Sequence, residues 1–496
     1  MGEQNTRLAL LRLSGEIGIK ARATRMRFRK RLIQNLRDAL GYAGMHQRVE
    51  VSHDRLYIAL PDAIELDDHP LTHVFGVSSL SLVERHPITD LDGVVQTGAA
   101  LFRDAVRGRR FAVRARHVGR RGRAEIRSRD VEHALGALLL PLSAGVDLRQ
   151  PEVVLGIELL EDATAFFHEG AKGPGGLPVG VEGRAVALLS GGFDSAVAAW
   201  QIQKRGVECD YVFCNLGGAQ HLQEVLPVAK SLAARWSYGC RPKLHVVDFE
   251  AITAAIQEHT ATRYWQLVLK RLMLRTAEAI ALSNRAQAIV TGDAVGQVSS
   301  QTLANLDVVS RAAEMTVLRP LVSFDKQEIT ALATAIGTYE LSKRVREYCA
   351  LVPTKPATRA SLSRVEAEES QLPPGLLARA LDERMVVELH RIDPDLENAP
   401  SFSVERVPED ALLLDLRPVA QYRNGHHPDA LHLDFEQALS AYPSFDRARR
   451  YVLSCEYGLL SAQLAERMRR VGFEAHHFRG GQRALMKQAT SRGSAE

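Results

Sequence analysis

The sequence has few cysteines and no long apolar run, and both absences exclude classes of protein. Its 496 residues include five cysteines, none in a Cys-x-x-Cys pair, so we expect no disulfide framework and no structural zinc or cluster site. No stretch approaches the ~18 apolar residues that span a bilayer, and the first residues do not resemble a signal peptide. We therefore expect a cytoplasmic protein with no membrane partner.

Charge is nearly balanced in total but unevenly distributed. The 63 Lys and Arg residues against 59 Asp and Glu leave a formal net charge of +4. A predicted helix near residues 24–40 is basic and includes Arg25 and Arg29. A second cluster includes Arg114, Arg116, Arg120 and Arg121. A single arginine is usually just solvated, but two such clusters favour a surface for phosphate backbones and predict a nucleic-acid partner.

Segments of different character divide the chain. At roughly 100–200 residues per domain, its length predicts three or four domains. Two small mixed segments, residues 1–60 and 61–168, come first. After the Gly/Pro-rich connector HEGAKGPGGLPVGVEGR, strands and helices alternate as in a parallel sheet with helices on both faces. Residues 386–402 indicate a linker, and 403–496 a further α/β module.

The motif Ser-Gly-Gly-Phe-Asp-Ser begins at Ser190, between an apolar strand and a helix predicted from Ala196. The two glycines allow close approach to a phosphate, and N–H groups at a helix N-terminus bind anions. Ser190 and Ser195 add hydroxyl donors, whereas Asp194 is out of place unless it binds Mg²⁺ or caps the helix. Gly191-Gly192 alone would suit an ordinary turn, but the whole motif predicts ATP binding.

Cys455 follows a predicted strand and opens the segment CEYGLLS, after which a helix runs. A cysteine at such a junction receives the helix dipole and loop N–H groups, which are expected to lower its pKa and stabilise an attached anionic sulfur. The alternative is an inert buried cysteine. Cys209, Cys214 and Cys240 lack this context and are predicted to be structural.

Several motifs together resemble the tRNA 4-thiouridine synthetase family. SGGFDS is similar to the signature of the PP-loop ATP pyrophosphatases, and GPGGLP, NLGG, LKRLMLR, TGDAVGQVSSQT, LRPL, DKQEI and EYC also match the family. The segment Cys-x-x-Gly-x-x-Ser resembles the active loop of rhodaneses. The resemblance spans the chain and implies an α/β multidomain fold. Its expected parts are α+β ferredoxin-like (1–60) and THUMP (61–168) domains, a doubly wound parallel-sheet PP-loop domain (169–385) and, after the linker, a rhodanese-like sulfur-carrier domain (403–496).

The resemblance also assigns ligands and partners. Beside the motif itself, the family's ATP contacts fall on Leu188, Leu189, Lys270, Gly292 and Gln301. Lys270 suits a counter-charge to phosphate, Gly292 suits close approach of adenosine, and Mg²⁺ accompanies ATP. The N-terminal domains would bind tRNA through the arginine clusters. Further implied partners are a cysteine desulfurase as persulfide donor, a ThiS-like thiamine sulfur carrier protein and a second copy of the chain in a homodimer.

The reaction that the family implies has two halves. The enzyme would adenylylate the C4 oxygen of uridine 8 in tRNA, with Asp194 as a catalytic residue, and replace that oxygen with sulfur from a persulfide on Cys455. Cys349, in the loop EYCALVPTKPAT, would be a second catalytic cysteine that forms a disulfide with Cys455. Direct attack by the persulfide and prior release of sulfide by Cys349 both remain open. A role in thiamine thiazole synthesis is a further implication.

Two other interpretations remain. A different PP-loop enzyme, such as an amidotransferase or a sulfurtransferase acting on cytidine, would use the same activation on another acceptor. A sulfur-relay carrier would keep the C-terminal module while its RNA binding and ATP turnover were vestigial. The N-terminal basic pair of domains with a rhodanese-like tail argues against the first, and the intact SGGFDS motif disfavours the second.

Overall fold

The computed structural model describes residues 6–52, 55–61, 64–88, 90–118, 126–161, 163–168, 170–346, 351, 355–392 and 402–492. The chain divides into two compact units. The N-terminal unit comprises Met1–Gly183, Gln203–Glu208 and Arg235–Cys240, and the C-terminal unit comprises the remaining residues. Among the described residues, no helix combines the length and the apolar character that crossing a membrane requires.

The N-terminal unit is built on one mixed sheet, whose strand order is β2-β3-β1-β4-β8-β7-β5-β6. Its elements are β1 (Thr6–Leu13), α1 (Gly15–Gly18), α2 (Arg22–Tyr42), β2 (Val49–Ser52), β3 (Arg55–Pro61), β4 (Val77–Pro87), α3 (Leu91–Val106), β5 (Arg110–His117), α4 (Ser128–Leu139), β6 (Gly145–Val146), β7 (Val153–Leu159) and β8 (Ala163–His168). The basic helix predicted from the sequence is α2.

Helices α2, α3 and α4 pack on the same face of this sheet. Phe28 and Leu32 of α2 share a core with Ala9 of β1, and Phe102 of α3 shares one with Ile157 of β7. Because successive side chains of a strand point to opposite faces, the even-numbered residues of β1, β5 and β7 point away from the helices. The sheet therefore has a helix-covered face and an opposite face of different character.

The C-terminal unit contains a sheet of the doubly wound type, with strand order β13-β12-β9-β10-β11-β14. Its elements are β9 (Arg184–Leu188), α5 (Phe193–Lys204), β10 (Glu208–Asn215), α6 (Gly218–Trp236), β11 (Lys243–Asp248), α7 (Glu250–His259), α8 (Trp265–Ser283), β12 (Ala288–Val290), α9 (Leu303–Ser310), β13 (Thr316–Leu318), α10 (Lys326–Ala335), α11 (Tyr339–Ser342), α12 (Leu362–Glu369), α13 (Leu376–Asp382) and β14 (Met385–Glu388).

The predicted parallel pairing is present, with one exception at the edge. β9 with β12, β12 with β13, and β10 with β11 pair in parallel, whereas β14 runs antiparallel to β11. Residues 386–388, assigned to the linker from the sequence, belong to this edge strand. Its apolar side chain Val387 is buried, a tertiary packing that the polar surroundings in the sequence do not indicate.

A second, wholly parallel sheet lies in the last part of the C-terminal unit, with strand order β15-β19-β18-β16-β17. Its elements are β15 (Ser403–Val404), β16 (Ala411–Asp415), α14 (Val419–Arg423), β17 (Ala430–His432), α15 (Phe435–Ala441), β18 (Arg450–Ser454), α16 (Leu459–Arg470), β19 (Glu474–Phe478) and α17 (Gly481–Arg492). The α/β multidomain fold expected from the sequence is confirmed.

Candidate active site

The loop that follows β9 turns directly into α5. Gly191 has a φ of +82°, and a Cβ there would lie 2.9 Å from a methyl group of Val225. Ser195 Oγ donates to the carbonyl of Gly192 at 3.0 Å and accepts the backbone N–H of Ser190 at 3.2 Å. These contacts hold the loop in a tight turn that only glycine at its corner permits.

Helix α5 begins three residues earlier than the sequence pattern indicates, at Phe193 instead of Ala196. Asp194 therefore lies in the first turn of the helix, where a carboxylate interacts favourably with the helix dipole. The apolar pattern missed these residues because Phe193 and Asp194 belong to the motif and not to the periodic face of the helix.

A cavity of about 250 Å³ opens beside this loop. Eight of the residues predicted from the sequence line it: Leu188, Leu189, Ser190, Asp194, Ser195, Lys270, Gly292 and Gln301. Gly191 and Gly192 belong to the adjoining loop. Apolar side chains, among them Phe213, Met273 and Val309, complete the wall. An apolar wall with a few convergent polar groups is typical of a small-molecule site.

Asp293 connects the polar side chains of the cavity. Its Oδ1 accepts Lys270 Nζ at 2.8 Å and Gln301 Nε2 at 3.1 Å. Its Oδ2 accepts Thr291 Oγ1 at 2.8 Å and Arg319 Nε at 3.3 Å. Burial raises the pKa of Asp293, but Lys270 and the other donors outweigh it and lower the pKa to about 2. The carboxylate is therefore ionised at every working pH and orients the two predicted ATP residues that it contacts.

Asp293 and Arg319 are not among the site residues predicted from the sequence. Asp293 stands in TGDAVGQVSSQT, just after β12, and a carboxylate at the carboxyl end of a parallel strand is the signal that could have found it. Among the described residues, Gln301 Oε1 and Arg319 Nη2 are buried without a hydrogen-bond partner. Buried polar atoms are normally satisfied, so this acceptor and this donor indicate a site built for a ligand.

Gly292 packs against the backbone of the loop. A Cβ at this position would lie 2.7 Å from the carbonyl carbon of Asp194 and 2.8 Å from the nitrogen of Ser195. Real Cβ atoms do not approach backbone so closely, so any other residue must displace the loop. Glycine is therefore necessary at this position because the backbone of the chain's own loop lies so close to it.

The carboxylate of Asp194 is held at the edge of the cavity by two side chains. Lys326 Nζ lies 3.1 Å from Oδ1, and Gln297 Nε2 donates to Oδ2 at 2.8 Å. No group of three or more metal-type side chains is assembled within the described part of the chain. Mg²⁺ in nucleotide sites is usually held by one or two carboxylates together with phosphate oxygens and waters, so Asp194 fits that role.

His221 supports the loop from behind. Its ring stacks edge-on against Phe213, with centroids 4.7 Å apart, and bonds to the backbone of Ser190. Burial lowers the pKa of His221 to about 4, so the ring stays neutral near pH 7. The side chain therefore positions the loop without adding charge.

Cys455 directly follows β18, at the strand-to-helix junction that the sequence predicts. The residue is 2% exposed. Its Sγ accepts the backbone N–H of Ser461 at 3.4 Å and lies 3.4 Å from the Ser461 hydroxyl, and the N–H groups of Tyr457 and Gly458 also bond to it. Backbone donors thus surround the sulfur.

The expectation of a lowered pKa at Cys455 is wrong. Burial raises the pKa of the thiol, and although the hydrogen bonds from Ser461, Tyr457 and Gly458 oppose this, burial dominates. The closed loop excludes the water that would solvate a thiolate. Beside it, the buried carboxylate of Asp415 binds Arg417 through Nε at 3.0 Å and Nη2 at 2.7 Å.

The remaining cysteines divide into two groups. Cys349, the predicted partner of Cys455 in a disulfide, lies outside the described residues. Cys209 and Cys214 are buried, and Cys240 is partly buried. Cys214 lines the cavity, but burial strongly raises its pKa, as expected of an inert thiol.

The four predicted tRNA-binding arginines that the structure describes lie on two sides of the N-terminal sheet. Arg25 and Arg29 lie on α2, the helix-covered side of the N-terminal sheet, where Arg25 Nη1 donates to the carbonyl of Gly18 at 3.3 Å. Arg114 and Arg116 project from the opposite face. Arg120 and Arg121 lie outside the described residues. Spacing along the chain cannot reveal this separation, because it depends on which face of the sheet α2 covers.

The two loops and their sheets define a PP-loop protein that carries a rhodanese-like module. Family models match in three places: a ThiI ferredoxin-like domain at residues 8–81, the thiamine biosynthesis protein ThiI at 180–373 and a rhodanese-like domain at 404–488. A tRNA sulfurtransferase of Desulfurococcus amylolyticus is 37% identical over 476 residues, which cover 95% of this chain and 97% of the relative.

Further comparisons agree. A tRNA sulfurtransferase of Marinobacter nauticus is 35% identical over 473 residues, 93% of this chain and 97% of that protein. A crystal structure of a 4-thiouridine synthetase–RNA complex with bound ATP aligns with a TM-score of 0.66 at 32% identity, covering 77% of this chain and 99% of that one. The chain belongs to the tRNA sulfurtransferase family, which confirms the resemblance drawn from the motifs.

Proposed function

We propose that this chain is an ATP-dependent sulfurtransferase that converts uridine 8 of tRNA into 4-thiouridine. The observation that carries the proposal is the cavity beside the Ser190 loop, where Lys270 and Gln301 converge on Asp293. The same chain carries Cys455 in a loop of sulfur-directed donors. The relatives named tRNA sulfurtransferases, and the related structure that holds RNA and ATP, support this combination.

The cavity would carry the activating half of the reaction. Backbone N–H groups of the loop and the hydroxyls of Ser190 and Ser195 would bind the β- and γ-phosphates, and Lys270 would offset their charge. Gln301 Oε1, which is buried without a hydrogen-bond partner among the described residues, would accept an N–H or hydroxyl donor of the nucleotide. Mg²⁺, held by Asp194 and the phosphates, would neutralise charge on the leaving pyrophosphate.

The C-terminal module would supply sulfur. A cysteine desulfurase would leave a persulfide on Cys455, whose terminal sulfur adds to C4 of the adenylylated uridine as AMP leaves. Cys349 thiolate would then attack the Cys455 sulfur, releasing thiolated tRNA and forming the Cys349–Cys455 disulfide. In the alternative order Cys349 releases sulfide first, which attacks C4. Either route leaves a disulfide, which a two-electron reductant must cleave to restore the two thiols.

The N-terminal unit would hold the acceptor. The proposed layout keeps a ferredoxin-like domain (1–60) and a THUMP domain (61–168) ahead of the PP-loop domain (169–385), the linker (386–402) and the rhodanese-like domain (403–496). Basic side chains of the first two domains would contact tRNA phosphates. A homodimer is part of the same proposal, on the strength of the family resemblance alone.

A sulfur-transfer assay tests the two halves separately. With cysteine desulfurase, [³⁵S]cysteine, ATP and a tRNA transcript, wild type labels both protein and tRNA. Asp194→Ala should keep the label on the protein but lose it from tRNA, whereas Cys455→Ser should lose both. Cys240→Ser is the matched cysteine control and should behave as wild type. Labelling of tRNA that survives Asp194→Ala and Cys455→Ser would refute the proposal, and label recovered in cytidine would favour the other acceptor.

A second role is supplying sulfur for the thiazole of thiamine. The match to a family model described as a thiamine biosynthesis protein and the rhodanese-like module favour it. The receiving partner would be a ThiS-like sulfur carrier protein. A host strain that requires thiazole should grow without it when it expresses the C-terminal module of this chain. Cys455→Ser should abolish that growth. This experiment tests the role independently of tRNA.

A further inference from the structure

Glu158 of β7 is completely buried on the face of the N-terminal sheet opposite α2, α3 and α4. Its carboxylate accepts Arg12 Nε at 3.1 Å, Arg55 Nε at 3.1 Å and Arg116 Nε at 3.0 Å. One carboxylate cannot balance the charges of both Arg12 and Arg116. Because the interior screens charge poorly, the uncompensated positive charge favours an anion nearby.

A cavity of about 290 Å³ opens directly against this cluster. Its polar lining consists of Arg12, Ser79, Ser81, Arg114, Arg116 and Lys172. None of the described residues that line it is acidic. Cations and hydroxyl donors without a carboxylate at the surface match a phosphate oxyanion and disfavour a cation or an apolar ligand.

Arg12 points to the same ligand by its hydrogen bonding. The residue is 9% exposed and its guanidinium lies 4.3 Å from the centre of the Phe167 ring. Nη1 donates to Ser81 Oγ at 2.9 Å, while Nη2 is buried with no hydrogen-bond partner among the described residues. Burial, together with repulsion from Arg116 and Arg55, lowers the pKa of Arg12, although Glu158 opposes the change. A buried cationic donor without a partner is rare in folded proteins.

We propose that this cavity, the sheet-face pocket, binds one phosphate group of the RNA backbone. Arg12 Nη2 and the serine hydroxyls donate hydrogen bonds to it, and Arg114, Arg116 and Lys172 supply charge. The proposal adds Arg12, Ser81 and Lys172 to the predicted RNA-binding residues. None of these three added residues lies in α2. The proposed function is needed only to identify RNA as the source of the phosphate.

The first experiment measures binding of a tRNA transcript to the full chain over a range of salt concentrations. Lys172→Met should weaken binding and reduce the slope of log K against log salt by about one, because one phosphate contact is lost. Lys172 is exposed, so the fold should survive. Arg12→Met should weaken binding and reduce the slope by about the same amount, because the pocket binds one phosphate, and its melting temperature is recorded alongside. Arg107→Gln, an exposed arginine paired with Asp104 at the end of α3, is the control and should leave the slope unchanged.

The second experiment uses inorganic phosphate and needs no RNA. Phosphate should raise the melting temperature of wild type more than that of Lys172→Met or Ser81→Ala, since phosphate bound at the Ser190 loop is common to all three. If only this difference appears and the RNA slope is unchanged, the pocket binds free phosphate and the RNA assignment is overturned. If neither measurement distinguishes the variants, the sheet-face pocket is overturned. Failure to thiolate tRNA while both differences persist would refute the proposed function and leave the pocket standing.

Discussion

The loops after β9 and β18 have similar backbone conformations, but the first is open to a cavity and the second is closed around a side chain. Each loop connects a parallel strand to the helix that follows it, and each contains a glycine with a positive φ, +82° at Gly191 and +80° at Gly458. The first opens into a cavity of about 250 Å³, whereas the second closes on Cys455, which is 2% exposed. An open loop admits a nucleotide whose recognition depends on surrounding side chains. A closed loop accommodates one sulfur, whose chemistry depends on the loop donors themselves.

The largest effect is expected where the open loop has no spare room. In Gly292→Ala the new Cβ would lie 2.7 Å from the Asp194 carbonyl carbon, so the loop must move. A displacement of about 1 Å in a reacting site can reduce turnover roughly 100-fold, and we expect that loss in kcat/KM for ATP. ATP-dependent release of pyrophosphate in the presence of tRNA provides the measurement.

Loading of a persulfide onto Cys455 shows whether Gly292→Ala affects only the open loop. Gly292→Ala should still take ³⁵S onto Cys455 at the wild-type rate, because the closed loop does not involve Gly292. Gly136→Ala in α4, where a Cβ meets nothing within 4 Å, is the matched control for an added methyl group. Unchanged pyrophosphate release in Gly292→Ala would show that the loop after β9 tolerates displacement, which would contradict its expected dependence on this close contact.

A smaller loss is expected from Asp293→Asn, which keeps the shape of the network and removes its charge. Because the Asp293 pKa is lowered to about 2, the wild-type carboxylate is ionised throughout the working range. A hydrogen bond to a charged group contributes about 1.5–3 kcal/mol, so kcat/KM for ATP should fall roughly 10- to 100-fold. Without the carboxylate, Lys270 and Gln301 lose their common anchor.

Steady-state kinetics distinguishes positioning from a loss of folding in Asp293→Asn. If Asp293 orients Lys270, the KM for ATP and kcat should both change while the melting temperature stays near that of wild type. Asp307→Asn, an exposed carboxylate paired with Arg311 on α9, should leave both parameters unchanged. A variant that melts early but has wild-type kinetics when folded would assign Asp293 a structural role only.

Local motifs were predictable from the sequence, and the networks that complete them were not. The Ser190 and Cys455 loops each consist of consecutive residues, so glycine, serine and the flanking strand pattern were enough to find them. Asp293 contacts Lys270 and Arg319, which lie 23 and 26 residues away along the chain. The first contact exists because α8 packs beside β12 and the second because β13 pairs with β12, and no spacing rule indicates either.

The effects of burial on charge and pKa could not be predicted from the sequence either. The loop donors around Cys455 were correctly anticipated, but the direction of its pKa depends on closure, which excludes water from the sulfur. In the N-terminal unit, Glu158 lies 146 residues from Arg12, and only the folded sheet brings the pair together. The arginine clusters were visible as charge, whereas their distribution over two faces of the sheet required the position of α2.

The smallest predicted effect tests the closed loop through one hydroxyl. Ser461→Ala removes the Oγ that lies 3.4 Å from the sulfur and keeps the backbone N–H bond. Donors that bond to the thiolate lower the pKa of Cys455 against the effect of burial, so losing one raises that pKa further. The thiolate fraction should therefore fall, and alkylation of Cys455 by iodoacetamide at pH 8 should slow about 3- to 10-fold.

Mass spectrometry of the peptide that contains Cys455 separates this reaction from alkylation of the other cysteines. The deficit of Ser461→Ala should shrink as pH rises, because both proteins approach the full thiolate at high pH. Ser440→Ala, an exposed helix serine in the same module, is the control and should react as wild type. Faster alkylation of Ser461→Ala at pH 8 would mean that access, and not thiolate stability, limits Cys455. The closed loop would then differ from the open one because it restricts access to the Cys455 sulfur, and not because it stabilises the thiolate.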